Sequence, residues 1–181
     1  MKTIQIGSQV WTTKNLRVFK FRNGDHIPIV QDADEWAGLQ ESAMCINPDN
    51  GECYYNWYAV NDPRGLAPEG FHVPSDKEWR QLVEYCGDNE GYFGGIKKAG
   101  SLLKSPKDWD GAEVNKGFKA IPSGYRVRHG GFKNKTNYVM FWSSTPSGAR
   151  SWGHYLISRN LGVSRDDFDI QNGFSVRLIK D

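Results

Sequence analysis

Apolar and polar positions alternate along the first stretch of the chain. Thr3–Ile6 and Val10–Thr13 read as two strands joined through Gly7 and Ser8, and Leu16–Phe21 reads as a third. Asp32 then fits a helix N-cap. Glu35 follows three residues later, and Trp36 and Leu39 fall on one helical face. Residues 45–53 are rich in turn formers. The dense aromatic run Tyr54–Val60 reads as a strand, and residues 62–70 as loop. The strongest helix signal begins at Ser75, which with Glu78 forms a capping box. Trp79, Leu82, Val83 and Cys86 follow at i, i+3, i+4 and i+7, and Gly87 is the stop. A weaker helix is expected over Ile96–Leu103, with Gly100 against it, and a loop over 105–117. Short strands and glycine turns then dominate: Gly124–Arg126, Gly130–Phe132 and Tyr138–Ser144. In the last strand, Phe174, Val176 and Leu178 alternate with Ser175, Arg177 and Ile179.

Between the last two apolar runs lies a stretch with few apolar side chains and many of different chemistry. The pattern is that of a stiff frame presenting a changeable surface. At 181 residues the chain is read as a single domain over 1–181. Its 9 Phe, 8 Tyr and 7 Trp alongside 20 Gly fit a loop-rich, tightly turned fold better than a helical bundle. A net charge of +2 without any polybasic run gives no electrostatic case for nucleic acid. No stretch is long and apolar enough to insert in a membrane, and no signal peptide is visible. Of three cysteines, Cys45 and Cys53 flank a turn and can either pair or stay reduced.

Several motifs, taken together, resemble one family. They are Ile6-Gly7-Ser8-Gln9-Val10-Trp11 with Asn15-Leu16, Tyr55–Val60, Gly70–Trp79, Ile121–Arg126, Phe141–Thr145 and Gly173–Arg177. In this order and spacing they resemble the Fibrobacter succinogenes major paralogous domain, which is similar in turn to the formylglycine-generating-enzyme-like branch of C-type lectin folds. The resemblance implies an α+β fold with two to three short helices, small antiparallel sheets and long loops. It also implies pairing of the N- and C-terminal strands.

A narrower resemblance covers a variable region at 149–173. Trp152, Leu156, Val163, Arg165 and Gly173 sit where variable proteins of diversity-generating retroelements keep fixed residues. His154 stands where Arg is commoner. Adenine mutagenesis in such systems yields many residue types but never Lys, Glu, Gln, Met or Trp, and residues 153–170 contain none of these. The contact residues implied are Gly153, Tyr155, Ile157, Ser158, Arg159, Asn160, Gly162, Ser164, Asp166, Asp167, Phe168 and Asp169. Tyr, Arg and Phe supply contact area, and Ser, Asn and Asp supply adaptable polar contacts. Trp152, Leu156 and Val163 are expected to point into the core. The expected partner is a protein or glycan on a cell or virus surface, with the chain secreted, surface-bound or on a virion. A fixed-sequence envelope adhesin is the alternative.

Other chemistry is weaker. Asp166, Asp167 and Asp169 lack the further ligands and the turn glycine of a calcium loop, so no metal or other cofactor is expected. Oxidases of the related branch use cysteines late in the domain, and none follows Cys86 here, so no enzyme activity is expected. His26, His72, His129 and His154 are dispersed, and His72 reads as structural. Trp11, Trp57, Trp79, Trp142 and Trp152 read as core, whereas Trp36 and Trp109 read as freer, Trp109 as exposed.

Overall fold

The computed structural model describes residues 1–87, 98–109 and 117–181. In chain order its strands are β1 (Thr3–Ile6), β2 (Gln9–Thr12), β3 (Met44–Ile46), β4 (Cys53–Tyr55), β5 (Phe71–His72), β6 (Tyr125–Arg126), β7 (Phe132–Lys133), β8 (Tyr138–Ser147), β9 (Arg150–Ile157), β10 (Ser164–Asp169) and β11 (Ile179–Lys180). The helices are α1 (Ala33–Ala37), α2 (Trp57–Val60), α3 (Asp76–Tyr85) and α4 (Ala99–Leu103). The fold is α+β with small antiparallel sheets. The terminal strands meet in one of them, ordered β1-β2-β11-β5, where Ile179 faces Trp11 on one side and His72 on the other.

The chain from Gly173 to Ile179 is buried throughout and separates two cores. Its alternation decides the sides. Phe174, Val176 and Leu178 enter a core with Met44, Tyr55, Trp57, Met140 and Trp142, whereas Ile179 joins Trp11, Trp79, Leu82, Phe118 and Phe141 in the other. The sheet β10-β9-β8 separates the same two cores. Met140 and Trp142 lie on its first side, and Val139, Phe141 and Leu156 on its second. A fully buried side chain of this size contributes roughly 1.5–3 kcal/mol, so these two partitions carry much of the stability. Helix α3 closes the second core. Ser75 Oγ accepts from the Glu78 N–H, and Glu78 Oε2 accepts from the Ser75 N–H at 2.8 Å, completing the expected box.

Several expectations are corrected. The aromatic run Tyr54–Val60 is not one strand. Asn56 ends β4 and caps α2, its Oδ1 accepting from the N–H groups of Ala43 and Ala59. Leu16–Phe21 forms no strand. Leu16 and Phe21 are buried singly, the Leu16 N–H bonds Val176 O, and the Val18 N–H bonds the Tyr55 hydroxyl. The short strand β5 exists only through its partner β11 and leaves no periodic signal. Trp36 and Trp109 are both buried. Their indole N–H groups donate to Gln171 O and Ala120 O, and the Arg126 guanidinium lies over the Trp36 ring at 4.4 Å. The stretch 149–173, for which the sequence pattern named no strand, is largely β9 and β10. Cys45 and Cys53 are free. Cys45 faces Tyr54 across the β3–β4 ribbon and Cys53 faces Ile46, so the two thiols lie on opposite faces and in different cores. Of the helix expected over Ile96–Leu103, residues 96–97 lie outside the described residues, as do 110–116 of the loop after it.

Gly100 has a packing reason. A Cβ there would meet Gly162 O at 2.2 Å and Leu161 O at 2.8 Å, both backbone atoms. Alanine is the better helix former by roughly 1 kcal/mol, yet the clash dominates. Gly100→Ala is therefore expected to lower the unfolding free energy by about 1–3 kcal/mol in urea titration. An increase in stability would show that α4 and the 158–163 turn do not pack this closely.

Candidate ligand-binding surface

β9 and β10 pair from Arg150↔Asp169 to Tyr155↔Ser164. Cross-strand partners share a face, so the register sorts every side chain of the hairpin. Gly153, Tyr155 and Ile157 share a face with Ser164, Asp166 and Phe168. Trp152, His154 and Leu156 share the other with Arg165 and Asp167.

The first face carries six of the twelve expected contact residues, and it is aromatic. Tyr155 stacks on Tyr138 at 6.4 Å and meets Phe168 edge-on at 5.8 Å. Phe168 meets the buried Phe174 at 5.1 Å, and Tyr125 closes the circuit, 5.8 Å from Phe174 and 6.5 Å from Tyr138. The four outer rings are half-buried, each with an edge in solvent. Burial pushes the Tyr155 phenol up in pKa, partly offset by a hydrogen bond with Ser164, so it stays protonated. Tyr125 and Tyr138 lie outside the region singled out in the sequence. Only the β8–β9 register, which sets Tyr138 opposite Ile157, brings Tyr138 there.

The expected contact residues do not all reach solvent. Gly153 is buried under Phe168, and a Cβ on it would lie 2.9 Å from that ring. Gly162 is buried against Gly100. Between the strands, Ser158 and Asn160 are half-buried and Arg159 is exposed, with left-handed backbone at φ 64°. The carbonyls of Ile157 and Asn160 both accept from Lys104 Nζ, at 2.8 and 2.7 Å, which fixes the turn. The three acids separate. Asp166 is exposed on the aromatic face. Asp167 pairs with Arg150 at 3.0 Å, and Asp169 with Arg128 at 2.9 Å. Adjacent strand residues point opposite ways, so Asp166 and Asp167 do not converge on one point.

Of the expected frame, Leu156 and Val163 are in the core. Trp152 is only half-buried and serves as a platform, with the Arg165 guanidinium carbon 3.3 Å from its ring centroid. Arg165 then reaches Asp76 at the start of α3, through Nε at 2.6 Å and Nη2 at 2.9 Å. His154, fully buried, is 3.1 Å from the same Asp76 oxygen through Nε2 and stacks on Trp79 at 5.0 Å. Burial alone would raise the Asp76 pKa, but the contacts from His154 and Arg165 hold it well below the carboxylate range. Burial pushes the His154 pKa down despite Asp76, and the charges of Arg165 and Arg80 act the same way. His154 is therefore neutral, with its proton on Nε2 facing the carboxylate. In the sequence, Asp76 reads only as a first-turn acid. Its partners lie 78 and 89 residues away, beyond any local pattern.

Among the described residues, no group of three or more His, Cys, Asp and Glu side chains could hold a metal ion. The Fibrobacter succinogenes major domain model matches residues 4–180. The chain belongs to the Fibrobacter succinogenes major domain family. Neither a curated protein nor a solved structure matches it. The family match spans the motifs that place this surface: the α3 cap at Ser75, the β8 segment at Phe141, and the buried thread from Gly173.

The buried His154 and the half-exposed His72 make opposite pH predictions. The folded pKa of His154 lies below the ordinary 6.5, so the unfolded chain binds more protons. Its contribution to stability is present above about pH 6.5 and is lost as pH falls through the folded value. His72, between Glu78 at 2.8 Å and Asp181 at 2.7 Å, has a raised pKa even though burial opposes it. Its contribution is present below about pH 6.5 and lost as pH rises through the folded value. Urea titrations should show a shallower loss from pH 6.5 to 5 in His154→Leu than in wild type. His72→Gln should instead change the slope above pH 6.5. Unchanged slopes in both variants would contradict these assignments.

Proposed function

We propose that this member of the family is a non-catalytic recognition domain with a C-type-lectin-like fold, and that the β9–β10 arm is its ligand surface, varied by retroelement mutagenesis. One coincidence supports the reading most. The window 153–170, which lacks every residue type that adenine mutagenesis cannot produce, coincides with an arm that separates frame from surface. Leu156, Val163 and Arg165 turn inward to a core or to Asp76, whereas Tyr155, Ile157, Ser158, Arg159, Asn160, Ser164 and Asp166 are half-buried or exposed. Gly153 and Gly162 have no room to vary and belong with the frame. Phe168 joins surface to core through Phe174.

Half-buried tyrosines with a rim of Ser, Asn and Asp suit a protein or glycan partner on a cell or virus surface. The absence of catalysis in this proposal draws on the thiols. Cys45, Cys53 and Cys86 are all buried, and burial pushes the Cys45 pKa up to about 12, away from nucleophilic thiolate.

The test of diversification is the nucleotide sequence around the gene. A nearby near-repeat of the codons for 149–173, differing only at adenines and accompanied by a reverse transcriptase, is the expected result. Its absence would remove the retroelement claim and leave a fixed-sequence envelope adhesin. The protein gives an independent check. Ser158→Ala and Asp166→Ala should each shift the unfolding free energy by less than about 0.5 kcal/mol. Gly153→Ala should cost about 1–3 kcal/mol. Similar losses at all three positions would contradict a division between frame and surface.

A further inference from the structure

A second region carries chemistry that the recognition arm does not use. Arg177 is 1% exposed, and no carboxylate pairs with it among the described residues. Its Nε donates to Asn15 Oδ1 at 2.8 Å. Nη1 donates to Thr12 O at 2.8 Å and Phe118 O at 2.7 Å, and Nη2 to Lys119 O at 3.2 Å. These bonds use four of the five guanidinium N–H groups. The fifth has no partner among the described residues. Burial pushes the Arg177 pKa down, and only the charge of Glu52 acts against it. An interior cation without a counter-ion is unfavourable unless something nearby compensates its charge.

Arg177 lines a cavity of about 450 Å³, within the size range of small-molecule sites. Lys14, Arg17 and Lys119 also line it, all three exposed. Neither lysine ammonium has a hydrogen-bond partner among the described residues. Lys119 is held in left-handed backbone at φ 55°, a conformation unfavourable for a side chain of this kind, between the buried Phe118 and Ala120. Glu52 and Asp108 are the acids of the wall, and Glu52 Oε2 is already held by Asn15 Nδ2 at 2.6 Å. Four cations therefore face two carboxylates, and the excess is positive. The excess favours a small anion, and the planar, paired N–H groups of Arg17 match the flat fork of a carboxylate.

We propose that this cavity binds a small carboxylate, held by Lys14, Arg17 and Lys119 and favoured by the buried charge of Arg177. Such a group can come from an acidic sugar or from the C-terminus of a peptide. The guanidinium of Arg17 supplies planar donors and the lysines supply point charges. The site shares no lining residue with the β9–β10 arm, so its fate is independent of the recognition surface.

The test is amide chemical-shift titration of the whole chain at low salt with four probes: methyl glucuronide, methyl glucoside, N-acetyl-glycylglycine and its amide. At least one carboxylate should give saturable shifts at Lys14, Gly51 and Lys119, and its neutral counterpart none. Shifts with the glucuronide alone assign an acidic glycan, and shifts with the peptide alone assign a chain terminus. A Lys14→Ala/Lys119→Ala double variant should bind about tenfold more weakly, as loss of charge contacts requires. Arg17→Gln gives a second variant should the double one fail to fold. Arg177 is left intact because it ties β2 to Phe118. The proposal is overturned if neither carboxylate binds, if a neutral counterpart binds equally, or if the folded variant binds as tightly as wild type.

Discussion

The Asp76 carboxylate ties the first turn of α3 to two neighbouring strands, accepting two hydrogen bonds from Arg165 on β10 and facing His154 on β9. Hydrogen bonds to a charged group are worth about 1.5–3 kcal/mol each when geometry is good. Here they act where apolar packing is weakest. β10 is an edge strand with no fully buried residue, and its apolar hold on the sheet is Phe168, packed on Phe174. Its register with β9, the stack of Arg165 on Trp152 and the contact with Asp76 hold it there. The charged residues along this strand also discourage pairing with a second chain.

From this tie the separation of roles follows. The inner face of the arm is committed to α3 and the second core through His154, Leu156 and Val163. The opposite face packs only partly, through a circuit of aromatic rings ending at Phe174. Substitutions there meet solvent on one side, so the proposed recognition surface can change while the frame keeps its packing. The thread from Gly173 to Ile179, buried on both sides, links the two halves and closes the sheet on β2.

Much of the frame was legible because its signals are local. The capping box at Ser75, the i, i+3, i+4 run from Trp79 and the alternation from Phe174 each specify an element within a few residues. Tyr54–Val60 misled because aromatic composition favours a strand, whereas a single Asn56 side chain turns the chain into α2. Trp36 and Trp109 looked free because their partners, Gln171 and Ala120, are not periodic neighbours. At the arm, composition marked a segment poor in apolar side chains but not the strands it forms. Few of its side chains are apolar enough to announce β10, which forms by pairing with β9. Gly153 and Gly162 looked like surface positions because their constraints, Phe168 and Gly100, appear only in three dimensions.

The most direct test of this division is saturation mutagenesis of 150–170, sorted by resistance to proteolysis and read by deep sequencing. The account predicts broad tolerance at Ile157, Ser158, Arg159, Asn160, Ser164 and Asp166. It predicts narrow tolerance at Gly153, His154, Leu156, Gly162, Val163 and Arg165. Uniform tolerance along the arm, or losses concentrated at Ser158, Arg159 and Asp166, would contradict it.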